Sequence, residues 1–288
     1  MELGIRSGSA VEADLRTARA DASRRAVTDH ILALADRAGY GAALIDAVAS
    51  GSSEASVITW RQFARMIRAA ADGLSRRGLQ KDDTAGVFVH DAVSHVIAVH
   101  AIRAAGASAA PVCPAQTPAD IASQLKQCRA RLLITSAELA DLAVQAAERS
   151  LVRQVFAFGE AGGTTPFGSL LHTARHGQVH PDGDAAVPGE DVMAQVFDLA
   201  GLGPDGPAPR LTSRDVVVAA PPCGDPGVYT SLLDLALAAG ATVVAATLAQ
   251  VPAAVRAYKG TAAVVPLGTD VPGLPADRVF AVGKVSIR

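Results

Sequence analysis

Residues 85–112, AGVFVHDAVSHVIAVHAIRAAGASAAPV, decide the fold class because strand and helix patterns alternate within them. Residues 85–89 are a short apolar run of the kind found in buried strands, and residues 92–105 repeat apolar side chains at helical spacing up to Gly106. Residues 109–112 predict a second strand. A strand, a helix and another strand at this spacing predict parallel strands joined by a helical crossover.

The same alternation continues along the chain. A helix, a strand, a second helix and a further strand are predicted at residues 118–129, 131–135, 137–148 and 154–158. A second, shorter series of strands and helices follows within residues 192–265. We therefore expect an α/β protein with two mostly parallel sheets that are flanked by helices.

Three regions divide the chain. Residues 1–25 mix Ala, Arg, Asp and Ser, and they predict a disordered or loosely helical leader. Residues 177–189 are rich in Gly, Pro and Asp, which is typical of a linker. We expect a first α/β unit over residues 26–189 and a second, shortened unit over residues 190–288.

Composition argues against several classes of protein. Half of the residues are apolar and 19% are charged, so a disordered chain is not expected. The net charge of −2 argues against a nucleic-acid partner, and no run reaches the roughly 20 apolar residues of a membrane span. The three cysteines match no metal-binding spacing, and the histidines at positions 90, 95 and 100 are spaced by five rather than by three or four. We expect a cytoplasmic protein without a metal.

Four short segments carry a family likeness. They are residues 43–46 (ALID), 102–107 (IRAAGA), 117–121 (TPADI) and 165–167 (TPF). Together they resemble the 4-coumarate–CoA ligase-like branch of the acyl-adenylate-forming (ANL) superfamily. The resemblance implies the fold of that family's N-terminal domain, and we expect its mobile C-terminal domain to be missing.

The segment that corresponds to the family's ATP-phosphate loop is altered. The family's loop binds phosphates through hydroxyls, backbone N–H groups and a lysine, whereas residues 198–210, DLAGLGPDGPAPR, contain no Ser, Thr or Lys. Prolines remove N–H donors, and Asp198 with a second aspartate repels phosphate unless Arg210 or a metal offsets them. We expect no ATP and no other cofactor here, and we assign Asp198, Gly201 and Gly203 to contacts with another ligand.

A second altered segment is PPCGDPGVY, residues 221–229. Asp225 stands where the resemblance implies the family's acyl-positioning histidine. In one interpretation the ancestral acyl pocket survives for another use. In the other, the segment is a shortened turn that caps the next helix, and its polar groups lie on the surface.

The surviving-pocket interpretation supplies the candidate site. Its candidate acids and bases are Asp225, Tyr229 and His90, which stands at the end of a predicted strand. Cys223, a candidate nucleophile, and Gly227 are further candidate ligand contacts.

Three functions are open at this point. The first is a protein of specialised metabolism that has lost adenylation and binds an acyl, aryl or polyketide-like ligand, with a pathway enzyme or carrier protein as partner and a homodimer as an assembly. The second is an ATP-independent cyclase, isomerase or hydrolase. The third is a residual AMP-forming acyl-CoA ligase whose missing domain comes from a partner chain. Lys284 is a candidate remnant of the family's C-terminal lysine motif.

Overall fold

The computed structural model describes residues 8–47, 55–173, 210–222 and 224–283, and it describes the side chains of the first helix from residue 20 onwards. The predicted linker at residues 177–189 and the predicted strand at residues 192–197 lie outside the described part. Within that part, no helix is both long enough and apolar enough to cross a membrane.

A five-stranded sheet forms the middle of the chain. All its neighbouring strands are parallel, and their order is β4-β3-β5-β6-β7. The strands are β3 (Thr84–Phe88), β4 (Ser108–Pro111), β5 (Leu132–Ser136), β6 (Gln154–Phe158) and β7 (Thr165–Pro166). This sheet confirms the parallel arrangement that the alternating pattern predicts.

A six-stranded sheet combines strands from both ends of the chain. Its order is β11-β10-β8-β9-β1-β2; β1 and β2 are antiparallel, and the other neighbouring pairs in the described residues are parallel. The strands are β1 (Ala42–Asp46), β2 (Ser56–Thr59), β8 (Val216–Ala219), β9 (Thr242–Ala245), β10 (Ala262–Pro266) and β11 (Val279–Val282). The sheets therefore do not follow the predicted division at residue 189, because β1 pairs with β9 through Leu44 and Val243. Local apolar patterns identify a strand but do not identify its partner.

Seven helices accompany the sheets in the described residues. They are α1 (Gly8–Ala38), α2 (Trp60–Arg76), α3 (Ala92–Ala104), α4 (Pro118–Gln127), α5 (Ala140–Glu148), α6 (Pro226–Ala238) and α7 (Val251–Ala257). Helix α1 begins at Gly8, so most of the predicted leader belongs to a long helix. Helix α2 begins where Thr59 and Gln62 form a capping box.

The helices and sheets stack in five layers. Helices α1, α2, α3 and α6 lie between the sheets, where they form the largest core with side chains such as Ile31, Phe63, Ile102 and Leu235. Helices α4 and α5 cover the outer face of the five-stranded sheet, and α7 covers the outer face of the six-stranded sheet. The outer layers have separate cores of mostly small apolar side chains.

Candidate functional site

The carboxyl ends of the parallel strands and the first turns of α3 and α6 define the candidate site. His95 of α3 contacts Thr230 of α6 at 2.8 Å between Nε2 and Oγ1, and Arg103 contacts Asp234 at 2.8 Å. These contacts follow the same order along both helices, so α3 and α6 run in the same direction and begin at the same edge. In open α/β sheets, ligands bind at this edge.

His90 lies at this edge and is the second residue after β3. Its backbone N–H donates to the buried Ser136 Oγ at 3.2 Å, and its Nδ1 lies 3.0 Å from the same oxygen. The Glu138 carboxylate is 3.6 Å from Nδ1, and 39% of the His90 side chain is exposed. Because Ser136 and Glu138 both face Nδ1, they do not form a nucleophile–histidine–carboxylate relay. Nε2 is the ring nitrogen that could exchange a proton with a ligand.

Several carboxylates lie near His90. Asp91 caps α3, and its Oδ1 accepts a hydrogen bond from the Ser94 N–H at 2.7 Å. Burial raises the pKa of Asp91, and the nearby charge of Asp46 at the end of β1 raises it further, while the Ser94 hydrogen bonds oppose the shift. Together with Glu138, these groups make this part of the edge acidic and unfavourable for an anion.

Asp225 is the N-cap of α6. Its Oδ1 accepts hydrogen bonds from the backbone N–H groups of Gly227 at 2.8 Å and Val228 at 3.1 Å. Pro226 follows at the first helical position, where a proline is tolerated. Helix α6 therefore begins four residues before Thr230, the start that its apolar pattern predicts. The carboxylate thus occupies the N–H groups that a helix start otherwise offers to an anion. The position of Asp225 matches the capping-turn interpretation, but Tyr229 does not lie on the surface as that interpretation expects.

Tyr229 lies one turn further along α6 and is fully buried. Its hydroxyl donates to the Ala220 carbonyl at 2.7 Å, and its ring meets the His95 ring edge-on at 5.2 Å. The hydroxyl therefore joins the end of β8 to α6 and does not reach solvent. A catalytic role for Tyr229 would require this contact to open.

The structure brings some of the predicted residues together. Asp225, Gly227 and Tyr229 share the start of α6, and His90 lies at the start of the neighbouring α3. Asp198, Gly201, Gly203 and Cys223 lie outside the described residues, as does Lys284. The assigned roles of all these residues stay predictions. No group of His, Cys, Asp or Glu in the described chain could hold a metal ion.

Sequence reasoning missed a buried polar cluster between α1, α3 and α6, which we call the seam network: Thr28, His100, Arg103 and Asp234. Thr28 Oγ1 lies 2.9 Å from His100 Nδ1, and His100 Nε2 lies 3.5 Å from Asp234 Oδ1. Arg103 donates to Asp234 Oδ2 at 2.8 Å. The sequence contains a signal for this cluster, because these polar residues interrupt helical faces that are otherwise apolar.

Comparisons with known proteins point to one family and one fold. A family model described as AMP-binding enzyme matches residues 35–197. A long-chain-fatty-acid-CoA ligase (FadD1) from Archaeoglobus fulgidus superposes with a TM-score of 0.64 at 18% identity, over 84% of this chain and 51% of that one. A benzoate CoA ligase from Burkholderia xenovorans LB400 gives 0.63 at 20% identity, over 89% and 54%.

The N-terminal domain of FACL13 from Mycobacterium tuberculosis, in an inhibitor-bound structure, gives a TM-score of 0.63 at 14% identity, over 86% of this chain and 68% of that one. This chain therefore spans about half of the two ligases and about two thirds of the isolated domain. At these identities the likeness is one of fold. The two sheets and their flanking helices match the N-terminal domain of acyl- and aryl-CoA ligases.

Proposed function

The chain belongs to the AMP-binding enzyme family, and on that basis we propose that it binds an acyl, aryl or polyketide-like group at the edge formed by His90 and the start of α6, without adenylating it. The ligand is a free thioester or one presented by a carrier protein of a biosynthetic pathway.

One observation carries this proposal. Residues 198–210, which correspond to the phosphate loop of the family, contain no hydroxyl side chain and no lysine. A triphosphate needs several N–H, O–H or cationic donors, because its negative charges otherwise lose their hydration without replacement. Here two aspartates and three prolines oppose phosphate binding.

The charges at the described edge support the same proposal. Asp91 and Glu138 lie 4.0 Å and 3.6 Å from His90 Nδ1, and Asp46 lies near Asp91. The Asp225 carboxylate accepts hydrogen bonds from the first N–H groups of α6. A polyphosphate would meet repulsion here. A neutral thioester or amide would not meet this repulsion, and the exposed leucines Leu248 and Leu267 follow the carboxyl ends of β9 and β10.

Thermal unfolding with two kinds of probe tests the proposal. The first is ATP with Mg²⁺, alone and with benzoate or octanoate, together with an assay of pyrophosphate exchange. The second is a panel of benzoyl, cinnamoyl and octanoyl N-acetylcysteamine thioesters, which contain no phosphate. We expect saturable stabilisation by at least one thioester, about 2.7 kcal/mol at 100 times its Kd, and none by ATP.

Two results would contradict the proposed function. Stabilisation by Mg-ATP or acid-dependent pyrophosphate exchange would establish a residual AMP-forming ligase. Failure of every thioester in the panel, at concentrations up to their solubility limits, would reject the ligand class.

A second candidate function is an ATP-independent reaction in which His90 transfers a proton. It is favoured by the half-exposed ring, whose Nδ1 is oriented by the buried Ser136 and whose Nε2 has no partner among the described residues. If a thioester is consumed, His90→Gln should slow turnover by about 100-fold or more. His172→Gln is the matched control, because His172 is exposed at the end of the 3₁₀ segment Phe167–Thr173. Equal rates for both variants would exclude His90 as the acid or base.

A further inference from the structure

The seam network is a chain of polar groups inside the apolar layer between the two sheets. Thr28 is 0% exposed, His100 1%, Asp234 3% and Arg103 6%. The network joins one residue of α1, two of α3 and one of α6. Nothing in the proposed ligand site uses these groups, although His100 and Asp234 are titratable.

The order of the network is hydroxyl, imidazole, carboxylate. If Nε2 of His100 carries the proton toward Asp234, its Nδ1 accepts the hydrogen bond that Thr28 donates. The same order occurs in hydrolytic triads, but a triad needs an accessible hydroxyl. Because Thr28 is fully buried, the network connects helices and does not attack a substrate.

The helices that the network joins lie between the two sheets. Helix α3 contacts strands of both, including β3, β4 and β9. Helix α1 reaches the five-stranded sheet through Asp21, which accepts from Ser108 Oγ at 2.7 Å, and it reaches the end of α6 through His30 Nε2, 3.3 Å from the Ala238 carbonyl. The outer cores under α4, α5 and α7 contain none of the network residues. Opening the network would therefore loosen the central helices and leave each outer layer in place.

Charge balance in the network depends on a neutral His100. Arg103 supplies one positive charge and Asp234 one negative charge, so a proton on His100 would leave an excess cation without water. The groups that face His100 are Thr28 from α1, Phe63 from α2, Arg103 and His95 from α3, and Asp234 from α6. Among the described residues, Arg103 Nε has no hydrogen-bond partner, so the cluster has little capacity for more positive charge.

We propose that the seam network is an acid-released latch: protonation of His100 loosens the packing of α1, α3 and α6 against one another before either sheet unfolds.

The direction of the pH effect follows from burial. Burial lowers the pKa of His100 to about 4, against the attraction of Asp234, and lowers that of His95, which bonds to Thr230, to about 3. In the opened state both rings are hydrated and regain a pKa of about 6.5. The closed state is therefore fully favoured above pH ~6.5, and it loses stability as the pH falls from there toward 4.

The fluorescence of Trp60 can be used to follow the opening of the latch. It is the only tryptophan of the chain and is 3% exposed. Its ring meets Phe63 edge-on at 6.2 Å, and Phe63 meets His100 edge-on at 6.0 Å. Water that enters around His100 should shift Trp60 emission to longer wavelength.

The experiment is an acid titration of the full chain, followed by Trp60 emission and by far-UV circular dichroism. We expect the emission to shift at a higher pH than the loss of dichroism, with uptake of about two protons on opening, one on each buried ring. His100→Gln keeps an acceptor for Thr28 and a donor for Asp234 but cannot titrate. It should lower the midpoint of the emission shift and reduce the uptake to about one proton. His172→Gln is the control and should titrate like the unaltered protein.

Two results would overturn the proposal. If emission and dichroism change at the same pH, the chain unfolds as a whole and no latch exists. If His100→Gln takes up as many protons as the unaltered chain, His100 does not control the opening. Should His100→Gln fail to fold, NMR titration of the seven histidines of the unaltered chain decides. Two rings must stay neutral below pH ~5.5 while Trp60 remains buried, and titration of all seven near pH 6.5 would reject the latch.

Discussion

The side chain of Asp225 has two candidate roles, one catalytic and one structural. Its position relative to the family suggests chemistry, whereas its hydrogen bonds to Gly227 and Val228 give it a structural task at the start of α6. Capping explains why a short acidic side chain stands before Pro226 without any reference to a reaction.

Replacement of Asp225 separates these two roles. Asp225→Ala should lower the free energy of unfolding by about 1 kcal/mol, because the first N–H groups of α6 lose their acceptor. Asp225→Asn keeps a capping oxygen and should stay within a few tenths of a kcal/mol of the original. Urea unfolding measures both. If Asp225→Asn retains stability but abolishes a turnover, the carboxylate charge is needed for catalysis.

The Arg103–Asp234 pair should dominate stability in the central layer. Asp234→Ala leaves Arg103 charged and unpaired at a buried position, so we expect a loss of about 3–5 kcal/mol in chemical unfolding. The double variant Arg103→Met, Asp234→Leu should be more stable than Asp234→Ala alone, since no charge stays buried.

The exposed pair between Arg68 and Asp36 provides the comparison. Its N–O distance of 2.6 Å is shorter than that of the buried pair, but 39% of the Arg68 side chain and 55% of the Asp36 side chain are exposed. Asp36→Asn should therefore cost about 1 kcal/mol or less. Similar losses in the free energy of unfolding for Asp36→Asn and Asp234→Ala would show that burial does not determine how much an ion pair contributes to stability.

At the scale of elements, the packing of α2 depends on a close approach between Gly73 and the backbone of Leu170. A Cβ added at Gly73 would lie 2.5 Å from the carbonyl oxygen and 2.8 Å from the Cα of Leu170, in the 3₁₀ segment Phe167–Thr173. Alanine normally stabilises a helix interior by about 1 kcal/mol relative to glycine. Here the clash is with backbone that cannot rotate away, so it should outweigh this gain.

We therefore expect Gly73→Ala to destabilise the chain by about 1 kcal/mol or more and to increase hydrogen exchange in residues 167–173. Gly162→Ala is the control, because a Cβ there has open space. Its stability should be unchanged or slightly higher. A more stable Gly73→Ala variant would mean that the two elements are not packed so closely.

The sequence predicted most elements and fewer of their contacts. Strand and helix patterns from β3 to β6 were clear because each buried face repeats at its own period. The pairing of β1 with β9 was not predictable locally, since 200 residues separate Ala42 from Thr242, whose hydroxyl donates to the Ala42 carbonyl. The start of α6 was missed because the cap lies outside the apolar pattern, and the seam network was missed because its partners come from three helices.

At the scale of the whole molecule, the six-stranded sheet is a joint product of both ends of the chain. Strands β1 and β2 come before the five-stranded sheet, and β8 to β11 come after it. Neither residues 1–173 nor residues 210–288 contain a complete six-stranded sheet. The division into two sheets is thus not a division into two independent segments of chain.

A cut in the chain tests this dependence. If a protease site is inserted between residues 174 and 209 and cleaved, the two fragments should stay together in native buffer. β1 remains paired with β9, and α1 and α3 remain packed against α6. Size-exclusion chromatography should show one peak at the mass of the uncut chain, and two peaks only in denaturant.

Leu44→Asp, which places a charge on the buried face of β1, should separate the fragments after cleavage, whereas Val57→Asp on the exposed β2 should not. Dissociation of the unaltered, cleaved chain in native buffer would show that the pairing of β1 with β9 contributes too little to join the two halves.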